Sequence, residues 1–305
     1  MSVRIGINPI TWSNDDVPEL GGDTPLEVCL AETREAGYLG TELGGKFPRD
    51  SAVLGPILKH YDLALVAGWW DGRILEREVD AEFETLLPHL TLHRDLGAKR
   101  VVYADTSRGR RGGIWEPISK RPTLADDEWT DYGRKVTALA EKMAGFGVGM
   151  AYHHHMGTIV ESDAEVDRLM AVTGPAVGLL YDTGHSAFSG GDPVALATRH
   201  VKRIVHVHCK DTRPDVLARA RADDLSFMQA VLDGIFTVPG DGSVDYPTIL
   251  RHLHDGGYEG WLVVEAEQDP LKASPLTYAT LGHRNLVTLA TAAGFAVKTR
   301  EGVPE

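Results

Sequence analysis

The stretch "HVHCKDT", residues 206–212, sets two imidazoles, a thiol, an ammonium and a carboxylate at the end of an apolar run. Side chains two apart on a strand share a face. His206 and His208 therefore point together, one a layer deeper than the other, and Cys209 points the opposite way. The pattern recurs elsewhere. "YHHHMG" puts His153 and His155 on one face and His154 on the other; "YDTGH" offers Asp182 and His185; "VVEAE" offers Glu265 and Glu267 on a shared face; "TELGGKF" adds Glu42 and Lys46. Buried carboxylates repel one another unless something positive lies between them. A mixed set of imidazole and carboxylate donors suits a borderline-to-hard divalent cation such as Mn²⁺, Co²⁺, Zn²⁺ or Mg²⁺. The lack of paired thiols argues against a structural zinc site. Plainer readings stand beside these: His206 as a satisfied polar strand-end residue, Trp69 and Trp70 as packing, and Glu42 with Lys46 as a surface pair. Cys209, facing away from His208, is read as no ligand.

The elements that must position these groups alternate along the chain. Apolar runs at 3–8, 38–43, 63–68, 99–104, 147–153, 176–182, 201–210 and 260–267 read as strands. Between them lie helical patterns, at 24–36, 50–61, 76–96, 124–146, 162–174, 192–200 and 239–257. A last helix is expected over 275–293, a helical insertion around 215–233, and a frayed tail from Val297. Gly37 and Gly97 fall where helices should stop, and Ser162 with Glu165 spells a capping box. Eight strands each followed by a helix, with no Pro- or Ser-rich linker, predict a single (β/α)8 TIM barrel over 1–305. An open doubly wound sheet is the alternative, weakened because no GxGxxG follows the first strand. In such a barrel, chemistry gathers at the C-terminal strand ends, where every group named above falls.

Composition sets outer limits. The formal net charge of −13 disfavours nucleic acid and anionic membranes as partners. The basic stretch "SRGRRGG", 107–113, reads as a Gly-rich loop. Two cysteines, Cys29 and Cys209, give no disulfide framework and favour a reducing compartment. The N-terminus lacks a signal-peptide pattern and no apolar run reaches membrane-spanning length, so a cytoplasmic protein is expected. A homo-oligomer is left open.

Several motifs carry a family resemblance. "DTGH", "HVHCKD", "PGDGSVDY" and "GYEGWLVVE" resemble the xylose-isomerase-like barrels, which are sugar isomerases, epimerases and related enzymes with one divalent metal in the barrel mouth. "GINPITWSNDD", "ELGGDTPLE", "GYLGTELGGKFPRD", "AYHHHMGT", "YDTGHSAFSGGDP" and "WLVVEAEQDP" resemble, more specifically, the inosose dehydratase family of inositol catabolism. The likeness runs from Ile5 to about Pro270. Carried over residue by residue, it implies Asp182, His208 and Glu265 as metal ligands. The fourth ligand, usually a Glu ending strand five, has no counterpart in "YHHHMGT". His155 or His153, Glu42, water or substrate is left for that position. Lys210 or Asp211 is expected to support the ligands, and Mn²⁺ or Co²⁺ to be the metal. Glutathione enters through the resemblance alone, since no residue marks a site for it.

The resemblance also implies a reaction: loss of water from 2-keto-myo-inositol, a cyclic polyol ketone, giving a trihydroxycyclohexane-1,2-dione. A base takes the proton α to the ketone and an acid assists departure of the β-hydroxyl. Glu265, Glu267 or a strand-five His is expected as base, and His185, His153 or Lys46 as acid. Trp12 and Trp69 are expected to stack on the ring, with Asn8, Glu42 and Arg108 binding hydroxyls. The alternatives are a keto-sugar or polyol isomerase or epimerase, a metal-dependent nuclease on the same barrel, disfavoured by the charge, and a non-catalytic polyol-binding protein.

Overall fold

The computed structural model describes residues 1–109 and 114–300. The end of the basic stretch and the last five residues of the expected frayed tail lie outside the described residues. Eight strands form the barrel: β1 Ser2–Ile7, β2 Gly40–Leu43, β3 Ala64–Gly72, β4 Arg100–Asp105, β5 Gly149–His153, β6 Val177–Asp182, β7 Ile204–Cys209 and β8 Gly260–Val264. Each pairs in parallel with the next, and β8 also pairs with β1, from Val3 against Gly260 to Ile7 against Val264. That last pairing closes the sheet on itself and removes its edges. The strands are apolar runs because both of their faces are covered; all six residues of β6 are buried.

The barrel interior has a greasy lower part and a polar upper part. Val66, Val102, Leu180, Trp261 and Val263 pack in the lower part. Gly40 admits the Trp261 indole there, since a Cβ at position 40 would come within 2.9 Å of it. Above this layer the inward-facing residues are Glu42, His153, Asp182, His206 and His208. The outer layer packs strands against the surrounding helices, among them α1 Leu26–Glu35, α2 Ser51–His60, α3 Val79–Asp95, α4 Trp129–Phe146 and α5 Asp163–Val172. Among the described residues, no helix is long and apolar enough to cross a membrane.

Four differences from the expected boundaries matter for the site. Strand β3 runs on to Gly72 and takes Trp69 and Trp70 into the sheet. Strand β8 stops at Val264, so Glu265 and Glu267 stand just beyond it. The insertion is two helices after α6 Thr183–Ser189 and α7 Pro193–His200: α8 Pro214–Ala222 and α9 Phe227–Leu232. They are enclosed by a short antiparallel pair, Asp211–Thr212 with Phe236–Thr237. Finally, Ala296–Val297 pairs in parallel with Ser2–Val3, and Arg300 donates to the Arg34 and Tyr38 carbonyls. The two remaining helices are α10 Tyr246–Asp255 and α11 Pro275–Ala292.

A second apolar cluster roofs the mouth. Phe188, Val216, Phe227, Met228 and Phe236 form it, and Val17 and Leu20 from the β1–α1 loop pack against it. The insertion and the first loop thus meet above the strand ends.

Helix packing around the barrel is tight enough to test. Gly133 of α4 is buried, and a Cβ there would lie 2.4 Å from the Val172 carbonyl oxygen. Alanine gains about 1 kcal/mol of helix propensity over glycine. Overpacking costs about 1–3 kcal/mol, and a backbone carbonyl yields less than a side chain. Gly133→Ala should therefore lower the urea midpoint. A midpoint at or above that of the parent chain would refute this packing.

Candidate metal and acid–base site

Asp182 ends β6 and caps α6. Its Oδ1 accepts the His185 N–H at 2.8 Å, the usual arrangement for an N-cap. Its Oδ2 is fully buried and has no hydrogen-bond partner. His153 ends β5 and donates Nδ1–H to the His154 carbonyl at 2.6 Å. A carbonyl can only accept, so this assigns the ring proton and leaves a lone pair on Nε2. That atom stands 3.8 Å from Asp182 Oδ2. His208, near the end of β7, donates Nε2–H to Glu42 Oε1 at 3.1 Å. Its Nδ1 faces Glu265 Oε2 at 2.8 Å and Asp182 Oδ2 at 3.5 Å, a place that only a proton or a cation on Nδ1 makes favourable. Neither contact has hydrogen-bond geometry, so Nδ1 is a second buried orphan.

The donor atoms of His153, Asp182, His208 and Glu265 all lie within 4.8 Å of one another. Two nitrogens and two oxygens with unshared lone pairs turned inward fit a divalent cation. The charge balance points the same way. Glu42, Asp182, Glu265 and Glu267 are buried here, beside the single ammonium of Lys210. Burial opposes charge on His208, yet the carboxylates of Glu265 and Glu42 outweigh it and raise its pKa well above the usual range. A cation at Nδ1 would feel the same pull. Burial, with His208 and His155 nearby, holds His153 neutral.

Glu42 organises this set from below. Oε1 accepts from His206 Nε2 at 2.7 Å and from His208 Nε2 at 3.1 Å. Oε2 accepts from the Asn8 amide at 2.7 Å, and that amide also donates to Glu265 Oε2 at 3.0 Å. Burial would push the Glu42 carboxyl up, but His208 and His206 hold it down at about 2. Partners of this kind orient a ligating imidazole and raise its basicity. Glu42→Ala should weaken Mn²⁺ or Co²⁺ affinity about 10–100-fold in a chelator competition titration; unchanged affinity would remove Glu42 from this role.

A second set adjoins the first. His155 donates Nδ1–H to the Met156 carbonyl at 2.7 Å, which sets its Nε2 3.9 Å from Glu267 Oε1. Lys210 Nζ lies 2.6 Å from Glu265 Oε1, 2.8 Å from Glu267 Oε1 and 3.0 Å from His185 Nε2. A cavity of about 810 Å³ opens above, with Asn8, Trp69, His155, Glu265 and Glu267 in its lining. That volume is in the range of small-molecule sites. The Trp69 indole meets His153 and His155 edge-on, at 5.6 and 5.3 Å between ring centroids.

Several residues singled out in the sequence lie elsewhere. His155 is not beside Asp182, His208 and Glu265; β5 ends at His153, and the chain then turns, with the His155 carbonyl accepting from Thr158. His153 takes that place. Trp12 is buried in the core, its indole N–H on Glu32 Oε2 at 2.5 Å, and cannot stack on a ligand in the cavity. Lys46 is tied to the Gly21 and Thr24 carbonyls, which removes it as an acid at the mouth. Arg108 is paired with Glu128 and borders a separate cavity of about 330 Å³. Glu42 lies beneath the ligand set, bound to His206 and His208, while Asn8 bonds Glu42 and Glu265 and also lines the cavity. Asp211 accepts from the amides of Thr212, Gly240, Gly242 and Val244 and so shapes the "PGDGSV" turn. Phe227 had drawn no attention in the sequence; its ring lies 5.5 Å from His155 and 5.9 Å from His185.

Comparison with known proteins agrees with this architecture. The family model of the xylose isomerase-like TIM barrels matches residues 30–285. The rhizopine catabolism protein MocC of Rhizobium meliloti is 70% identical over 301 residues, covering 99% of this chain and 93% of that protein. The inosose dehydratase of Geobacillus thermodenitrificans is 41% identical over 279 residues, covering 91% and 94%. Among solved structures, that of the IolI protein with a bound zinc atom matches with a TM-score of 0.67 at 17% identity, over 95% of this chain and 98% of that one. The chain therefore belongs to the xylose isomerase-like TIM barrels, and within them to the group that holds MocC and the inosose dehydratases.

Proposed function

We propose that the protein is a metal-dependent hydro-lyase that removes water from 2-keto-myo-inositol, giving a trihydroxycyclohexane-1,2-dione, in inositol catabolism. The carrying observation is the juxtaposition of the four-donor set His153–Asp182–His208–Glu265 with two proton-transferring groups, His155 and Glu267, that open on the same cavity. The 41% identity to an inosose dehydratase over nearly the full length of both chains supports this substrate class.

A divalent metal, Mn²⁺ or Co²⁺ in this reading, would be held by His153, Asp182, His208 and Glu265 and would supply Lewis-acid stabilisation of the enolate charge. The chain supplies the proton transfers. His155, in the cavity lining, takes the proton α to the ketone on Nε2. Glu267, 3.9 Å away, stabilises the resulting imidazolium. The C–H electron pair becomes the new C=C bond. The β C–O bond breaks with its pair, and the hydroxyl departs as water with the proton that His155 returns; the enol left behind ketonises, its hydroxyl proton passing to the β carbon, and gives the dione. Lys210 holds Glu267 and Glu265 in place. Trp69 offers an apolar surface to the ring face. His185, whose Nε2 is taken by Lys210, is a positioning group here rather than the acid.

The test is an ultraviolet assay on 2-keto-myo-inositol with chelator-stripped protein and then with added Mn²⁺ or Co²⁺. Metal-restored appearance of the dione is the expected result. Conversion of the ketone into an isomer without loss of water would replace the dehydratase by the isomerase or epimerase reading. No turnover with any divalent metal would overturn the proposal.

A further inference from the structure

Beside the ligand set already described lies a second one, and it is filled. His155, His185 and Glu267 bring ligand atoms within 4.8 Å of one another. Lys210 Nζ is seated against this set, on His185 Nε2 at 3.0 Å and Glu267 Oε1 at 2.8 Å, with Glu265 Oε1 at 2.6 Å. An ammonium has three N–H donors, and these contacts use all three. With Nε2 accepting, the His185 proton sits on Nδ1. The Met156 N–H also points at Nδ1, at 3.4 Å, so two donors face a ring that can accept at only one nitrogen, and the shorter, charged contact with Lys210 sets Nε2 as that acceptor.

The surroundings are built for this ammonium. Lys210 is fully buried. Its stem runs against Gly184, where a Cβ would come within 2.5 Å of Lys210 Cγ. Its N–H donates to Thr183 Oγ1 at 3.0 Å, and the Phe236 ring lies 4.6 Å from Nζ. The two sets also share carboxylates. Glu265 turns Oε2 toward His208 and Oε1 toward Lys210. Asp182 Oδ2 is 3.8 Å from His153 Nε2 and 3.8 Å from Lys210 Nζ. Carboxylates shared between two positive centres are how two-metal sites are assembled.

We propose that Lys210 stands in for a second metal ion: its ammonium fills the His155–His185–Glu267 position, restricts the barrel to one divalent cation, and gives way to a second cation once removed. The native count of one and the carboxylate bridging rest on the reading of His153–Asp182–His208–Glu265 as a cation site; the exclusion of a cation from the second position by Lys210 does not.

Mn²⁺ is the probe, with stoichiometry read by equilibrium dialysis and spin coupling by electron paramagnetic resonance. The native chain should bind one Mn²⁺ with an isolated, hyperfine-split signal. Lys210→Ala and Lys210→Met, the second keeping most of the stem volume, should bind two, with the signal lost to coupling through the shared carboxylates. Adding His185→Ala to Lys210→Ala should return the count to one. A native chain with none and a Lys210→Ala chain with one would sink the first cation site yet support Lys210 as the stand-in. A folded Lys210→Ala or Lys210→Met chain that still binds one Mn²⁺ without coupling overturns the proposal. If neither variant folds, the native chain decides: a second Mn²⁺ taken up at millimolar concentration overturns it, and saturation at one supports it.

Discussion

Asp182→Asn should cut turnover by about 10³-fold and leave the fold standing. The two oxygens of Asp182 have different duties, and the substitution separates them. Oδ1 caps α6 through the His185 N–H, and an asparagine carbonyl does this equally well. Oδ2 is the buried atom without a partner, aimed between His153, His208 and Lys210. An amide NH₂ there can neither ligate a cation nor compensate an ammonium. Losing a partner behind a ligand already costs about 10–100-fold in affinity, so losing a ligand should cost at least about 100-fold. A metal contributes several kcal/mol of transition-state charge stabilisation. At 1.36 kcal/mol for each factor of ten, kcat at saturating Mn²⁺ should fall by about 10³-fold. Circular dichroism should be unchanged. The metal-free variant should be no less stable than the metal-free parent, because a buried charge without full compensation has been removed. A kcat within tenfold of the parent's would mean that the reaction centre lies elsewhere.

The barrel could be read in the sequence because buried parallel strands are short apolar runs, and here each is followed by a helix with its own stop signal. The rule that function gathers at C-terminal strand ends then brought Asp182, His208, Glu265 and Glu267 into one neighbourhood. What could not be read was the geometry just past those ends. Period-two alternation places His153 and His155 on one face, but it holds only while the strand lasts, and β5 stops at His153. One residue thus joins Asp182 while the other turns toward Glu267. Trp12 and Arg108 were credited with ligand contacts by residue type, yet each is committed to a carboxylate elsewhere, Glu32 and Glu128. Lys46 is spent on loop carbonyls. Phe227 reaches His155 and His185 from an insertion, and no local pattern tells where an insertion folds back. The role of Glu42, accepting from two histidines on β7, which lies across the barrel, is likewise a long-range fact.

Removing the metal should cost the protein about 10 °C of thermal stability, and the same treatment should leave Asp182→Asn nearly unmoved. Glu42, Asp182, Glu265 and Glu267 are buried around the ligand set, with Lys210 as the ammonium among them. The native state must either hold a cation or recruit a proton onto His208 to offset them, and the unfolded chain has neither need. A ligand that binds only the folded state at 1,000 times its Kd stabilises by about 4.1 kcal/mol. Each kcal/mol moves the midpoint of a chain of 150–250 residues by about 2–4 °C, and a barrel of 305 residues should sit near the lower end. Differential scanning calorimetry of the dialysed protein, in chelator and then in Mn²⁺ or Co²⁺, reads the shift directly. The control separates specific binding from general salt effects. Asp182→Asn keeps the surface charges but lacks the ligand, so a metal shift that persists in it would locate the cation at another place on the molecule. A parent chain whose midpoint ignores chelator and metal alike would mean that His208 and Lys210 alone balance the buried carboxylates. The four-donor set would then be an ion-pair network and not a metal site.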